Sequence, residues 1–205
     1  MLVNKNQVKL RGTIVGEPEF SHETHDEKFY YMTCESERRS GNIDALRIMV
    51  SEKLFNEDLN GQVVEIEGQI RTFNIPKGDG KSSLKIFLFV QKLDIVKPTD
   101  DISDYNEVEL EGFICRTPNY RKTPLGREVC DLLIAVNRGY GKSDYLPCIT
   151  WGRNARWAGD LVDGDKVSIT GRFQSRVYSK KIDDEKYEDR TAYEISVQSI
   201  NILEE

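Results

Sequence analysis

Asn6-Gln7-Val8-Lys9-Leu10-Arg11-Gly12-Thr13-Ile14 returns one hundred residues on as Asn106-Glu107-Val108-Glu109-Leu110-Glu111-Gly112-Phe113-Ile114. In both copies apolar and polar residues alternate with the two-residue period of a half-buried strand. The register holds further along: Pro18 lies over Pro118, Arg38 over Arg138, Asp44 over Asp144 and Leu46 over Leu146. After a slip of three residues, Val63-Val64-Glu65-Ile66-Glu67-Gly68 lies over Lys166-Val167-Ser168-Ile169-Thr170-Gly171. A chain of 205 residues with this repeat is two copies of one folding unit, each about 100 residues and so of ordinary domain size. Lys97-Pro98-Thr99-Asp100-Asp101-Ile102-Ser103-Asp104 combines proline with polar turn formers, which suits a connector. The boundary is expected near residue 102, between an N-terminal domain 1–98 and a C-terminal domain 104–205.

Strands are expected at 6–15, 29–36, 45–51, 62–73 and 84–96, and again at 106–115, 128–136, 145–151, 165–177 and 191–203. Between the third and fourth strand of each unit the alternation lapses, over Glu52 to Leu59 and Arg153 to Leu161. Ala155, Ala158 and Leu161 have helical spacing, and Gly61 and Gly164 sit where a helix would stop. The expected fold is therefore all-β, with two tandem five-stranded barrels and a short helix between strands three and four of each. That is the order of the oligonucleotide-binding (OB) fold, whose face and loops bind single strands and sugars.

Composition closes off other classes. Hydrophobic residues at 38% beside 31% charged supply a core and exclude a disordered chain. No apolar run approaches the roughly 20 residues of a membrane span, and Met1 to Lys5 opens no apolar stretch ending in a small-residue cleavage site. A cytoplasmic protein without membrane contact is expected. Cys34, Cys115, Cys130 and Cys148 lie in alternating segments with no Cys-x-x-Cys pair, the pattern of reduced core thiols. His22 and His25 lack companion ligands, so neither a metal nor a cofactor is expected. No histidine or cysteine stands beside an acid–base partner, and Gly139-Tyr140-Gly141-Lys142 lacks the spacing of a phosphate loop, so no catalytic residue is assigned. A net charge of −6 excludes indiscriminate polyanion binding, and any nucleic-acid site must be a local basic patch.

Four stretches carry a resemblance. They are Leu110-Glu111-Gly112-Phe113-Ile114 through Pro118, Arg127-Glu128-Val129-Cys130-Asp131-Leu132-Leu133-Ile134-Ala135-Val136-Asn137-Arg138, Asp144-Tyr145-Leu146-Pro147-Cys148-Ile149-Thr150-Trp151-Gly152, and Val167-Ser168-Ile169-Thr170-Gly171-Arg172-Phe173-Gln174-Ser175-Arg176. Together they resemble the bacterial single-stranded DNA-binding proteins over most of residues 106–203. The first half joins chiefly through the repeat, with Glu65-Ile66-Glu67-Gly68-Gln69-Ile70-Arg71-Thr72 as a weaker motif.

The resemblance implies a non-enzymatic protein that coats single-stranded DNA in replication, repair or recombination, with four base-stacking aromatics falling on Tyr140, Tyr145, Trp151 and Tyr178. Stacking supplies roughly 1–3 kcal/mol per base while cations track the phosphates, so aromatics interleaved with Lys and Arg suit a sequence-tolerant site. The cations stand nearby: Arg116, Arg121, Lys122 and Arg127 flank the first hairpin, and Arg138 and Lys142 flank Tyr140. Arg153 and Arg156 follow Trp151, and Arg172, Arg176, Lys180 and Lys181 surround Tyr178. Tyr145 and Trp151 are six residues apart and share one strand face, opposite Leu146, Cys148 and Thr150; that face is either a stacking platform or core. Trp157, in the expected helix, is read as packing on the barrel.

Carried onto the first half, the stacking positions become Ser40, Ala45, Ser51 and about Ile75, none aromatic. This unit is expected to be mainly architectural, touching DNA weakly through Arg38, Arg39, Arg47 and Arg71 or not at all. Its Phe29, Tyr30, Tyr31, Phe87 and Phe89 lie in runs that are apolar on both faces, which suggests that one face packs on another protein surface. Family members with one barrel per chain form four-barrel sets, so the resemblance implies a homodimer here. In the hairpin Lys180 to Arg190, Asp183-Asp184-Glu185 and Glu188-Asp189 keep bases to its basic ends. The family's acidic tail motif has no counterpart in Asn201-Ile202-Leu203-Glu204-Glu205, which leaves recruitment of replication or repair proteins open. Two alternatives stand beside the main reading: a primosomal or phage-type accessory protein, and an OB-fold interaction module that binds no nucleic acid.

Overall fold

The computed structural model describes residues 4–76, 80, 82–97, 103–181 and 187–204. The expected boundary near residue 102, the start of the chain at Met1 to Val3, the acidic tip Asp183-Asp184-Glu185 and Glu205 lie outside the described residues. Strands β1 (Asn6–Thr24), β2 (Glu27–Glu37), β3 (Ile43–Ser51), β4 (Val63–Pro76) and β5 (Ser82–Ile95) form a barrel in the order β2-β3-β5-β4-β1, which closes through β1 on β2. The second copy comprises β6 (Asn106–Ile114), β7 (Asn119–Lys122), β8 (Glu128–Arg138), β9 (Lys142–Trp151), helix α1 (Gly152–Ala158), β10 (Lys166–Lys181) and β11 (Tyr187–Ile202). It repeats the same order, β8-β9-β11-β10-β6, and closes through β6 on β8. Both barrels contain one short parallel pairing, β3 with β5 and β9 with β11.

The register reproduces the repeat in detail. Thr13 opposes Glu35 as Phe113 opposes Ala135, and Val8 opposes Gly68 as Val108 opposes Gly171, which carries the three-residue slip. Alternate residues then point inward, and Leu10, Ile14, Leu46, Ile66 and Leu88 are buried in the first barrel as Leu110, Ile114, Leu146, Ile169 and Ile195 are in the second. Strand closure leaves no room for a side chain at the repeated glycine. A Cβ on Gly112 would overlap the Ala135 carbonyl, and one on Gly12 that of Glu35. Gly112→Ala is expected to destabilise the fold by about 1–3 kcal/mol through overpacking, read as a lowered midpoint in chemical denaturation.

Several elements differ from expectation. Glu52 to Leu59 forms only a 3-10 turn, Glu52–Leu54, and no α-helix. The Ser51 hydroxyl caps the Lys53 N–H, and Asp58 and Asn60 accept from the backbone of Asn60 and Gly16, local bonds that compete with a helix. In the second copy, Ala155 and Ala158 are fully buried on the inner face of α1. Gly61 and Gly164 do not end helices; they adopt left-handed φ values of 79° and 96° in the turns entering β4 and β10. β1 runs nine residues past the expected 6–15, whereas its counterpart breaks after Ile114 and resumes as the separate strand β7.

The barrels are joined by antiparallel pairing of β1 with β6, centred on Val8 opposite Val108. Because equivalent residues face each other there, the two halves meet as an isologous pair built into one chain. Beyond this crossing the side chains of Asn6 and Asn106 take over the ladder, each exchanging two hydrogen bonds with the backbone of Ile70 or Phe173.

All four cysteines are free thiols, with Cys34, Cys130 and Cys148 buried and Cys115 half-buried. Burial pushes the Cys34 thiol up to about 12 and that of Cys130 to about 11, and raises Cys148 and Cys115 as well. The folded chain holds these protons past an unfolded value of about 8.5. Their contribution to stability is therefore present below that pH and lost as pH climbs towards 11–12. Alkaline titration should lower the denaturation midpoint from about pH 9 upward. In native protein the three buried thiols should resist iodoacetamide, and rapid labelling by mass spectrometry would contradict their placement.

Candidate nucleic-acid interface

Tyr145 and Trp151 stand on the outer face of β9, 46% and 43% exposed, while Leu146, Cys148 and Thr150 point into the barrel. Six strand residues separate the two rings by about 20 Å. Pro147 lies between them on the same face and also lines a cleft with Tyr178 of β10, a cleft to which neither Tyr145 nor Trp151 contributes. The fourth, Tyr140, is wholly exposed between Gly139 and Gly141 and holds a left-handed backbone, φ 61°. A non-glycine residue in that region costs stability, and this one presents its ring to solvent at the loop tip. Arg176 lies 5.8 Å from the Tyr178 ring centre and 3.6 Å from Glu194. Trp157, 40% exposed on α1, is less buried than expected.

The expected cations divide into groups. Arg116, Lys122, Arg127, Lys142 and Arg153 are exposed. Arg121 is exposed but pairs with Asp131 through both Nε and Nη2. Arg138 and Arg172 instead lie at the seam between the barrels. Arg138 sits 3.6 Å from Asp144. Arg172 donates to Gln174, and burial, followed by the neighbouring Arg38, lowers its pKa.

That seam is a polar lock which the sequence-based reading did not include. Asp144 is fully buried and accepts from Arg71 Nη1 at 2.9 Å and from the Thr72 N–H at 2.8 Å. The Tyr145 N–H donates to Thr72 Oγ1 at 3.1 Å, so the first barrel grips the backbone beneath a stacking candidate. The backbone part of this arrangement repeats in the other direction, while the arginine comes from Asp44's own barrel. Asp44 accepts from Arg38 and from the Ser175 N–H, and the Ala45 N–H donates to Ser175 Oγ. The only sequence signal was the shared register of Arg38 with Arg138 and Asp44 with Asp144. Of the positions carried onto the first barrel, Ser51 is buried and hydrogen-bonds to Glu27, and Ile75 is an exposed aliphatic.

Among the described residues, no cluster of three or more His, Cys, Asp or Glu side chains could hold a metal ion. No helix among them is long and apolar enough to cross a membrane.

Two closed five-stranded barrels in tandem define an OB-fold protein. Over its whole length the chain superposes on 95% of the wild-type single-stranded DNA binding protein from Thermus aquaticus, with a TM-score of 0.78 at 21% identity, a likeness of fold. Residues 105–203 match the single-strand binding protein family. In sequence the chain is 31% identical to single-stranded DNA-binding protein A of Bacillus subtilis over 106 residues, covering 48% of this chain and 59% of that protein. It is 33% identical to the single-stranded DNA-binding protein of Oceanobacillus iheyensis over 108 residues, covering 48% and 63%. The chain thus spans about six-tenths of the length of these relatives. The match to the single-strand binding protein family covers the second barrel, and the first barrel repeats the strand order of the second.

Proposed function

We propose that this chain binds single-stranded DNA without catalysis, using the second barrel as the principal binding domain and the first as its scaffold. The observation that carries this is the exposure of Tyr145 and Trp151 on one face of β9, of Tyr178 on β10 and of Tyr140 at its loop tip, beside exposed cations on an otherwise acidic chain. Stacking on these rings and neutralisation by Arg116, Lys122, Arg127, Lys142 and Arg153 is sufficient chemistry for sequence-tolerant binding. Arg121, Arg138, Arg172 and Arg176 act there chiefly by shaping the surface, because they already have partners within the protein. Two such chains would assemble four barrels, which sedimentation velocity would register as a dimer.

The test is intrinsic tryptophan fluorescence during titration with an oligothymidine of about 35 nucleotides, longer than one OB barrel covers. Deep quenching is expected, with affinity falling as salt rises at a log–log slope of about −0.7 per phosphate contacted. No quenching, together with no mobility shift, would remove the DNA reading and leave an OB-fold interaction module.

A further inference from the structure

Glu194 of β11 stands where an anion is least expected. It lines the cleft shared by Pro147 and Tyr178, yet a carboxylate there repels the phosphates of any strand that stacks on Tyr178. Only 12% of its side chain is exposed; its Oε1 accepts from Gln174 Nε2 at 2.8 Å and lies 3.6 Å from Arg176 Nε. The Arg176 guanidinium in turn stands 5.8 Å from the centre of the Tyr178 ring. Gln174, Arg176 and Tyr178 are alternate residues of β10, and Glu194 lies opposite Gln174 in the ladder, so all four side chains share one face. This line of contacts starts at the seam, where Arg172 Nη2 donates to Gln174 Oε1 at 3.2 Å. The first barrel shows what the same places hold when there is no ring to orient. The strand register puts Phe73 in the place of Arg176, Phe87 in that of Glu194 and Ile75 in that of Tyr178. Phe73 and Phe87 meet edge to face with ring centres 5.8 Å apart, an uncharged contact on the same diagonal. The cation and the carboxylate thus occur together in the barrel that carries the ring.

We propose that Glu194 is a positioning residue for DNA binding: it holds the Arg176 guanidinium beside Tyr178 and thereby fixes that ring for stacking. The inference rests on the second barrel being a DNA site. An unpaired arginine samples many rotamers, whereas one paired to a largely buried carboxylate keeps its planar guanidinium at the ring. Ordering the pair before a strand arrives leaves less to be fixed on binding. The same ion pair engages Arg176 within the protein, so Glu194 acts through the ring and against its own charge.

The experiment is a double-mutant cycle on the whole chain, read by affinity for an oligothymidine of about 12 nucleotides, within the reach of a single barrel. Tyr178→Ala is expected to bind roughly tenfold more weakly, the loss of one stacked base. Glu194→Gln keeps an acceptor for Gln174 and removes the charge that holds Arg176. It should bind about fivefold more weakly than wild type, even though a negative charge has left the cleft, and weaken binding less than about twofold in the Tyr178→Ala background. Arg176→Lys, which keeps the charge and loses the planar guanidinium at a side chain 56% exposed, should give the same two results and serves if Glu194→Gln does not fold. Tighter or unchanged binding by Glu194→Gln would overturn the proposal, leaving a carboxylate that acts on the strand by charge alone. Equal losses in both backgrounds would overturn it too, by placing the effect in the fold and not in the ring, as would unchanged binding by Tyr178→Ala. If wild type binds no strand, the second-barrel reading fails with it; if Trp151→Ala weakens binding while Glu194→Gln does not, only the role of Glu194 falls.

Discussion

Trp151→Ala is expected to bind a short oligothymidine roughly 10- to 100-fold more weakly than wild type, the loss of one stacking platform worth about 1–3 kcal/mol. Trp151 ends β9 with its ring 43% exposed, while the neighbouring Thr150 is fully buried, so removing the indole takes away a surface without opening the core. Thermal stability should therefore change little. The chain has two tryptophans, so the quenching that remains in the variant reports Trp157 alone. Trp157→Ala supplies the counterpart: affinity near wild type, with quenching retained through Trp151. Equal losses in both variants would move the site towards α1.

The second large effect is expected at the seam. Asp144→Asn removes the charge that holds Arg71 and faces Arg138, and breaking a buried ion pair costs up to about 3–5 kcal/mol. Arg71 and Arg138 keep 19% and 30% of their side-chain exposure, so a loss of about 2–3 kcal/mol in chemical denaturation is expected after solvent screening. Asp44→Asn breaks the equivalent lock, whose Arg38 is 25% exposed, and should cost a similar amount. The two variants should part company in DNA binding. Asp144 adjoins Tyr145, whose N–H is held by Thr72, whereas Asp44 adjoins Ala45 at a position without an aromatic ring. Folded Asp144→Asn protein should bind more weakly, and folded Asp44→Asn should bind as wild type does. Equal affinity in both would reduce the seam to a purely structural role.

The strands were readable because alternation is a local property. Val8, Leu10, Ile14 and their partners a hundred residues on point inward by period alone, and the three-residue slip reappears in the strand register. The missing helix after β3 shows where local reading failed. Its apolar spacing was weak, and Ser51, Asp58 and Asn60 found nearer backbone partners than a helical turn offers. The cations show a deeper reason. Arg116 and Arg138 look alike as charges beside a strand, yet one is exposed and the other faces a buried carboxylate.

Periodicity and the repeat sufficed for two barrels and for placing Tyr145 and Trp151 on one face of β9, since both follow from neighbours a few residues apart, whereas closure of the barrel decided that this face meets solvent. The lock was decided by folding alone: Arg71 meets Asp144 across 73 residues and Ala45 meets Ser175 across 130. Arg47 likewise reaches Tyr193 only because β1 pairs with β6. Such contacts carry no periodic signature along the chain. They arise when two closed barrels, each complete in itself, are brought together about a common axis.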